Sequence, residues 1–305
     1  MRICLVSPPT ITEFSELQLA DSEAIRLIAE HAPMGILSLA AVLEKIGIVP
    51  MILDLNRLYY DYLASPEYRQ DKMDFCRFVV VGALESQQFD VFGFSTICSS
   101  YPLTIRMAKE VKRTHPGATV ILGGPQASVV DLQTLKAFSF VDVIVRGEAE
   151  ETLPLVLGAL SDGSSLDGLP GITFRQGANT VRAPNAPVIA DLDSLAMAAF
   201  NLYPYIDRCR YLPLEIGRGC PFACSFCSTN DFFRRQFRLK SPETVIQQMG
   251  LLNKAYGVQT FDLIHDMFTV NRKKVVEFCE ALKQSGDQFH WSCSARTALR
   301  ALMMS

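Results

Sequence analysis

GCPFACSFC, residues 219–227, sets Cys220, Cys224 and Cys227 within eight positions of one another. Leu214–Gly217 before it reads as a short strand, and Pro221 and the lack of a helix-forming run leave the cysteines on a loop. Three thiolates on such a loop can turn toward one ion or cluster. Structural zinc would need a fourth ligand, usually from a second Cys/His pair. Cys209 and His265 are the nearby candidates, and neither sits in a pair of zinc spacing. A redox dithiol would use Cys224 and Cys227 as CxxC and leave Cys220 unexplained. A [4Fe–4S] cube held by three thiolates keeps its fourth iron open to a cofactor or substrate, whereas four-thiolate ligation serves electron transfer. The spacing favours the cluster and leaves zinc and a dithiol open.

Outward from this loop the chain alternates strands and helices. Downstream, helices are expected over 242–256 and 272–284 and strands over 259–264 and 290–294; the last residues, ARTALRALMMS, begin another helix. Upstream, the first 160 residues predict strands at 2–7, 49–55, 89–95, 118–122 and 141–145, and helices at 35–46, 71–87, 102–114, 128–138 and 150–160. These strands are apolar and β-branched without strict alternation, as a sheet covered on both faces requires. Helices between them imply right-handed crossovers and a parallel, doubly wound five-stranded sheet. Residues 161–213 form a linker with a small hairpin around Gln176–Asn179, followed by a Pro- and Ala-rich connection in which Asp191 and Asp193 read as caps. The expected division is therefore 1–160, 161–213 and 214–305.

At 305 residues, 49% hydrophobic and 20% charged, the chain is globular and long enough for two cores. A net charge of −3 disfavours a standing nucleic-acid or anionic-membrane surface, although Arg234–Arg235–Gln236–Phe237–Arg238 is locally basic. The start, MRICLVSPPT, is a strand and not a signal peptide, and no apolar run has the length of a bilayer span. A cytoplasmic protein is expected, with its nine cysteines as thiols or metal ligands.

The cysteine loop resembles the CxxxCxφC signature of the radical SAM superfamily, with Phe226 as the aromatic before the last cysteine. The segment from RLKSPETVIQQMGLLNKAYG to FDLIHDMF, residues 238–268, resembles the subgroup carrying an N-terminal cobalamin-binding domain. So do SPP (7–9), PMGILSLAAVLEKIG (33–47), FGFSTICSSYP (92–102), HPGATVILGGPQAS (115–128) and VDVIVRGEAEETL (141–153). The resemblance implies a B12-binding sheet domain followed by a radical SAM β/α barrel, present only in part because the family's barrel has more βα units than this chain supplies.

It further implies a [4Fe–4S] cluster on the three cysteines, S-adenosylmethionine (SAM) on its open iron, and cobalamin on the first sheet. Phe226, Asp266 and Arg296 become SAM-binding candidates, Phe226 packing near the adenine or alternatively anchoring the loop in the core. Open parallel sheets bind ligands beyond the carboxyl ends of their strands. The cobalamin candidates are therefore Ser7, Pro8, Ser95, Thr96, Gly123, Gly124, Gln126, Gly147 and Glu148. Gly123 and Gly124 would let backbone approach a flat ligand, or make a tight turn. Departures accompany the match. No D-x-H-x-x-G motif offers cobalt an axial histidine; Gln126 stands where relatives often have histidine; and His265 replaces the first of two acidic residues, Asp266 keeping the second. His31 and His115 read as structural or surface residues, and no GxGxxG or Walker pattern is present. The implied activity is methyl transfer to an unactivated carbon or phosphorus of a small molecule, with electrons from a flavodoxin or ferredoxin. The alternatives are ring closure or rearrangement on the same domains, a truncated non-catalytic cobalamin- or metal-binding protein, and a zinc-stabilised regulatory protein.

Overall fold

Ile3–Ser7 (β1) is buried along its whole length, which is why ICLVS lacks the alternation of a half-exposed strand. In the computed structural model, which describes residues 1–9, 30–70 and 73–295, β1 lies parallel to and between Met51–Asp54 (β2) and Val91–Ser95 (β3). Thr119–Gly123 (β4) and Val143–Val145 (β5) continue the parallel run. The order β2-β1-β3-β4-β5 reverses between β1 and β3. The carboxyl ends of those two strands thus flank the switch point, where doubly wound sheets take their ligands.

The helices close the sheet by burying apolar stripes. Met34–Lys45 (α1) buries Ile36, Leu37, Ala40, Ala41 and Leu43. Leu55–Ala64 (α2) was not foreseen; the Asp54 side chain caps it by accepting from the Asn56 N–H, and Tyr59 and Tyr62 enter the core. The helix expected over 71–87 is Phe75–Val79 (α3) running into a wider π turn at Val80–Leu84, with Asp74 as its cap. Tyr101–Thr114 (α4) carries Pro102 in its first turn, where the missing N–H costs nothing. The helix expected over 128–138 is two short ones broken at Val130, Gly124–Val129 (α5) and Asp131–Ala137 (α6). Thr152–Asp162 (α7) ends on left-handed Gly163.

Ile172–Gln176 (β6) and Asn179–Arg182 (β7) form the expected hairpin, and β6 pairs antiparallel with β5, giving a seven-stranded sheet. Arg146 seals this junction. Its guanidinium donates to the Ile172 and Ala183 carbonyls and to Asn185, beside a buried Asp131 that also accepts from Thr173 and Arg182. The unit comprises Met1–Pro187 together with Ala198–Pro204. That returning segment is tied down by Tyr203, whose buried hydroxyl donates to Asp54 Oδ2 at 2.7 Å, and by Ala199 N–H to the Leu37 carbonyl.

The second unit takes in Val188–Met197 and the chain from Tyr205 onward. Leu212–Glu215 (β8), Thr260–Ile264 (β11) and His290–Cys293 (β12) form a parallel sheet in the order β12-β11-β8. Between β8 and β11, Gly217–Arg218 (β9) and Arg238–Leu239 (β10) make a short antiparallel ribbon; Gly217 thus begins this ribbon, where the sequence pattern predicts the end of the preceding strand. Pro242–Tyr256 (α8) and Arg272–Ser285 (α9) complete the β/α repeats. Ser241 and Asn271 cap their starts, and left-handed Gly257 and Gly286 close their ends. Among the described residues no helix is long and apolar enough to cross a membrane.

Candidate functional site

In the second unit the ribbon β9–β10 encloses the cysteine loop. Two glycines allow its strands to close. A Cβ on Gly217 would collide with the Arg238 carbonyl and the ring of His265, and one on Gly219 with the Gln236 carbonyl; Gly219 also has φ 82°. Arg218 is buried and grips Glu215 in a fork, Nε to Oε1 at 2.7 Å and a terminal nitrogen to Oε2 at 3.0 Å. Such a pair is geometrically specific as well as strong.

Cys220, Cys224 and Cys227 follow as free, half-buried thiols on a helix-free stretch, with a turn from Cys227 N–H to the Cys224 carbonyl at 3.1 Å. Among the described residues no three Cys, His, Asp or Glu side chains gather as ligands of a single ion would. An iron–sulfur cube spreads its thiolates over separate irons, and three soft donors on one short loop suit that group. The donor set therefore fits a cluster. Phe226 is 90% exposed, so the alternative that it anchors the loop in the core is overturned; its ring stands free to meet a ligand.

The end of β11 supplies the other polar groups. Asp266 accepts from the Thr229 hydroxyl at 3.3 Å, and the Gly219 N–H dipole lies beside the same carboxylate. Desolvation by its surroundings raises its pKa, and these two donors pull it down. His265 is 4% exposed, and its Nδ1 accepts from the Met267 N–H at 2.7 Å. That bond leaves the ring proton on Nε2, which has no partner among the described residues. Desolvation pushes its pKa down to about 4, so it stays neutral. Phe237 packs edge-on against it. Arg296 lies outside the described residues.

In the first unit the cobalamin candidates gather at one carboxyl edge: Ser7 and Pro8 after β1, Ser95 and Thr96 after β3, Gly123, Gly124 and Gln126 after β4, and Gly147 and Glu148 after β5. Ser95, Gly123, Gly124, Gln126 and Gly147 are half-buried, whereas Ser7, Pro8 and Glu148 are buried. Thr96 is wholly buried, and its hydroxyl is spent on the protein: it donates to the Gly123 carbonyl at 2.7 Å and accepts from the Ala127 N–H at 2.8 Å. It therefore positions the edge rather than presenting a ligand group. Ser128 does likewise, accepting from the Gly147 N–H and donating to the Gly124 carbonyl. Gly124, at φ 86°, lies close against the chain, since its Cβ would stand 2.7 Å from the Thr96 carbonyl oxygen. His115 is structural, with both ring nitrogens within 2.9 Å of Thr114 Oγ1 and the Gln87 carbonyl.

The family model of the B12 binding domain matches residues 25–157, and that of the radical SAM superfamily matches 214–302. An uncharacterised methyltransferase of Pyrococcus horikoshii is 27% identical over 97% of this chain and 60% of its own length. The anaerobic magnesium-protoporphyrin IX monomethyl ester cyclase of Cereibacter sphaeroides is 33% identical over 70% of this chain and 36% of its own length. The chain thus spans between about a third and three fifths of these relatives. Among solved structures, the radical SAM methyltransferase TsrM of Kitasatospora setae, with cobalamin and a [4Fe–4S] cluster bound, superposes with a TM-score of 0.64. It is 18% identical, over 93% of this chain and 52% of that one. At that identity the likeness shows the fold.

Proposed function

We propose that this chain, a member of the radical SAM superfamily carrying a B12-binding domain, acts in cobalamin-dependent methyl transfer to an unactivated carbon or phosphorus of a small molecule. The observation that carries this is the three-cysteine loop seated at the carboxyl end of a parallel β/α sheet, in a chain that also holds a 2-1-3-4-5 sheet. The Pyrococcus relative is named a methyltransferase and the TsrM structure holds cobalamin and a [4Fe–4S] cluster, which supports the same reading.

Cys220, Cys224 and Cys227 would hold the cluster, and Phe226, Asp266 and Arg296 would meet SAM. When bound, cluster and SAM supply hydrogen-abstracting radical chemistry and cobalamin supplies the methyl group. The chain's own task is to bind, orient and exclude water. Buried His265 would contribute a neutral N–H donor where a carboxylate would bring charge. On the first unit, Ser7, Pro8, Ser95, Gly123, Gly124, Gln126, Gly147 and Glu148 would border the cobalamin, on an edge that Thr96 and Ser128 hold in shape. Residues 1–160 would form the cobalamin platform, 161–213 the connection and 214–305 the SAM-binding part. A flavodoxin or ferredoxin would supply electrons.

Anaerobic reconstitution of the full chain with iron and sulfide tests this. The expected result is a cluster spectrum, SAM-dependent cleavage and retention of added cobalamin, with cluster and cleavage lost in the Cys220→Ala/Cys224→Ala/Cys227→Ala variant. Bound zinc without SAM cleavage would sink the reading. Ring closure is the second reading, favoured by the 33% identity to the Cereibacter cyclase; product analysis showing cleavage without methyl transfer selects it.

A further inference from the structure

Residues 217–240, which contain the cysteine loop, carry five basic side chains against one acid, Asp231, in a chain whose net charge is −3. Three of the five are engaged within the fold: Arg218 forks onto Glu215, Arg238 donates to the Ile189 carbonyl, and Lys240 is buried. Arg234 and Arg235 are exposed. They are the central residues of a turn closed by the Gln236 N–H on the Phe233 carbonyl at 3.0 Å, and both have positive φ, 51° and 57°. Turns of that hand are dominated by Gly, Asn and Asp, because a longer side chain crowds its own backbone there. Arg-Arg is therefore an unfavourable choice for the fold, and such strain persists only where neighbours over-determine it. Phe233 anchors the turn, edge-on to the Phe232 ring at 4.8 Å and beneath the Arg238 guanidinium at 5.9 Å. The turn also lies against the residue that precedes Cys220: a Cβ on Gly219 would stand 2.1 Å from the Gln236 carbonyl oxygen and 3.3 Å from Phe233 Cβ. Two permanent cations are thus fixed on the surface beside the cysteine loop.

We propose that the Arg234–Arg235 turn is the docking contact for an acidic one-electron carrier protein, placed to deliver an electron to a cluster on Cys220, Cys224 and Cys227. The proposal rests on the reading of this loop as the cluster site and names the surface that its electron donor uses. The step moves one electron, lost by the reduced carrier and gained by the cluster, with no bond made or broken. Paired cations on a fixed turn speed and orient the encounter with a negatively charged partner, whereas a reductant without negative charge gains nothing from them.

Arg234→Asn/Arg235→Gly gives the turn residues that its backbone favours and removes both charges, so it tests the surface without endangering the fold. The full chain, wild type and variant, is titrated with oxidised flavodoxin at low salt, both metal-free and reconstituted with iron and sulfide. The reconstituted chain is then reduced anaerobically by flavodoxin hydroquinone or by reduced methyl viologen, a small cation. The variant is expected to unfold at an equal or higher temperature. It should bind flavodoxin about tenfold more weakly and be reduced by it about tenfold more slowly at low salt, the difference closing at high salt. Reduction by viologen and viologen-driven SAM cleavage should keep their wild-type rates, and Arg234→Lys/Arg235→Lys should recover most of the flavodoxin rate. No binding by the wild-type chain, or equal binding and reduction in both, overturns the proposal. A parallel fall in viologen-driven cleavage overturns it as well, since the arginines would then serve cofactor or substrate. A wild-type chain that takes up no cluster removes the functional reading instead, and the titration of the metal-free chain still decides the docking surface.

Discussion

Asp54 illustrates how a single residue can couple ionisation to folding. It ends β2, caps α2, and is wholly buried beneath Tyr203. Desolvation pushes its pKa up from 3.8 to about 6, against the pull of the Tyr203 hydroxyl, two backbone N–H groups and the Arg57 charge. The fold therefore holds a proton there more tightly than the unfolded chain does. The associated stability is complete below the unfolded value and is lost as pH rises through about 6, amounting to about 3 kcal/mol by linkage. Asp54→Asn keeps Oδ1 as the acceptor for the cap, presents an amide N–H to the Tyr203 oxygen in place of Oδ2, and carries no charge. Chemical denaturation between pH 4 and 8 should show this component of the pH dependence abolished, with the variant at least as stable as wild type at pH 8. A variant weaker by more than about 1 kcal/mol there would show that the ionised carboxylate is itself stabilising.

At the scale of elements, what matters is how closely two backbones approach. The ribbon β9–β10 exists because Gly217 and Gly219 have no side chains to hold it apart. Gly219→Ala adds a Cβ that meets backbone, with φ at 82°, so the neighbour cannot simply rotate away. Strain of this kind costs about 1–3 kcal/mol. It should appear as faster amide exchange across residues 217–219 and 236–239 and as lost cluster uptake, with the β1–β5 sheet unaffected. Unchanged exchange in the ribbon would refute the argument. The same logic explains which elements the sequence concealed. The ribbon is two residues on each strand, too short for a periodic signal. α2 interleaves its Leu, Arg and Ala with Asn, Asp and three Tyr, which are weaker helix formers, and its clearest marker is Asp54 as a cap. The break at Val130 lacks Gly or Pro; Pro125 marked a helix start and nothing marked its end.

For the molecule as a whole, the division into units is not a single cut. The first unit is Met1–Pro187 plus Ala198–Pro204, and the segment between them belongs to the second. There Asp193 accepts from the Ser241 N–H and the Ile189 carbonyl from Arg238. A fragment ending at Pro204 should therefore be more stable than one ending at Pro187, because it retains Phe200 and Tyr203, both nearly fully buried, and the Tyr203–Asp54 bond. Burial of such side chains is worth about 1.5–3 kcal/mol each. Thermal unfolding of the two fragments checks this, and equal midpoints would show that the returning segment is a passive cover.

The sequence by itself determined the five parallel strands of the first sheet and the carboxyl edge where its candidates lie, because apolar period and βα alternation leave few alternatives; that the hairpin β6–β7 extends this sheet to seven strands came from the structure. It also placed the three cysteines on a loop, because Pro221 and the lack of a helix-forming run leave no helix there. Only the tertiary structure decided which groups of the chain the candidates touch. Thr96 and Gly124 lie against the chain and shape that edge, Arg146 became the seal of a hairpin, and Phe226 proved exposed. Asp266 was legible as an acid after a strand, but not as the acceptor of the Thr229 hydroxyl just past the cysteine loop. Those roles depend on which groups from distant parts of the chain spend each other's hydrogen bonds, and no local pattern records that pairing.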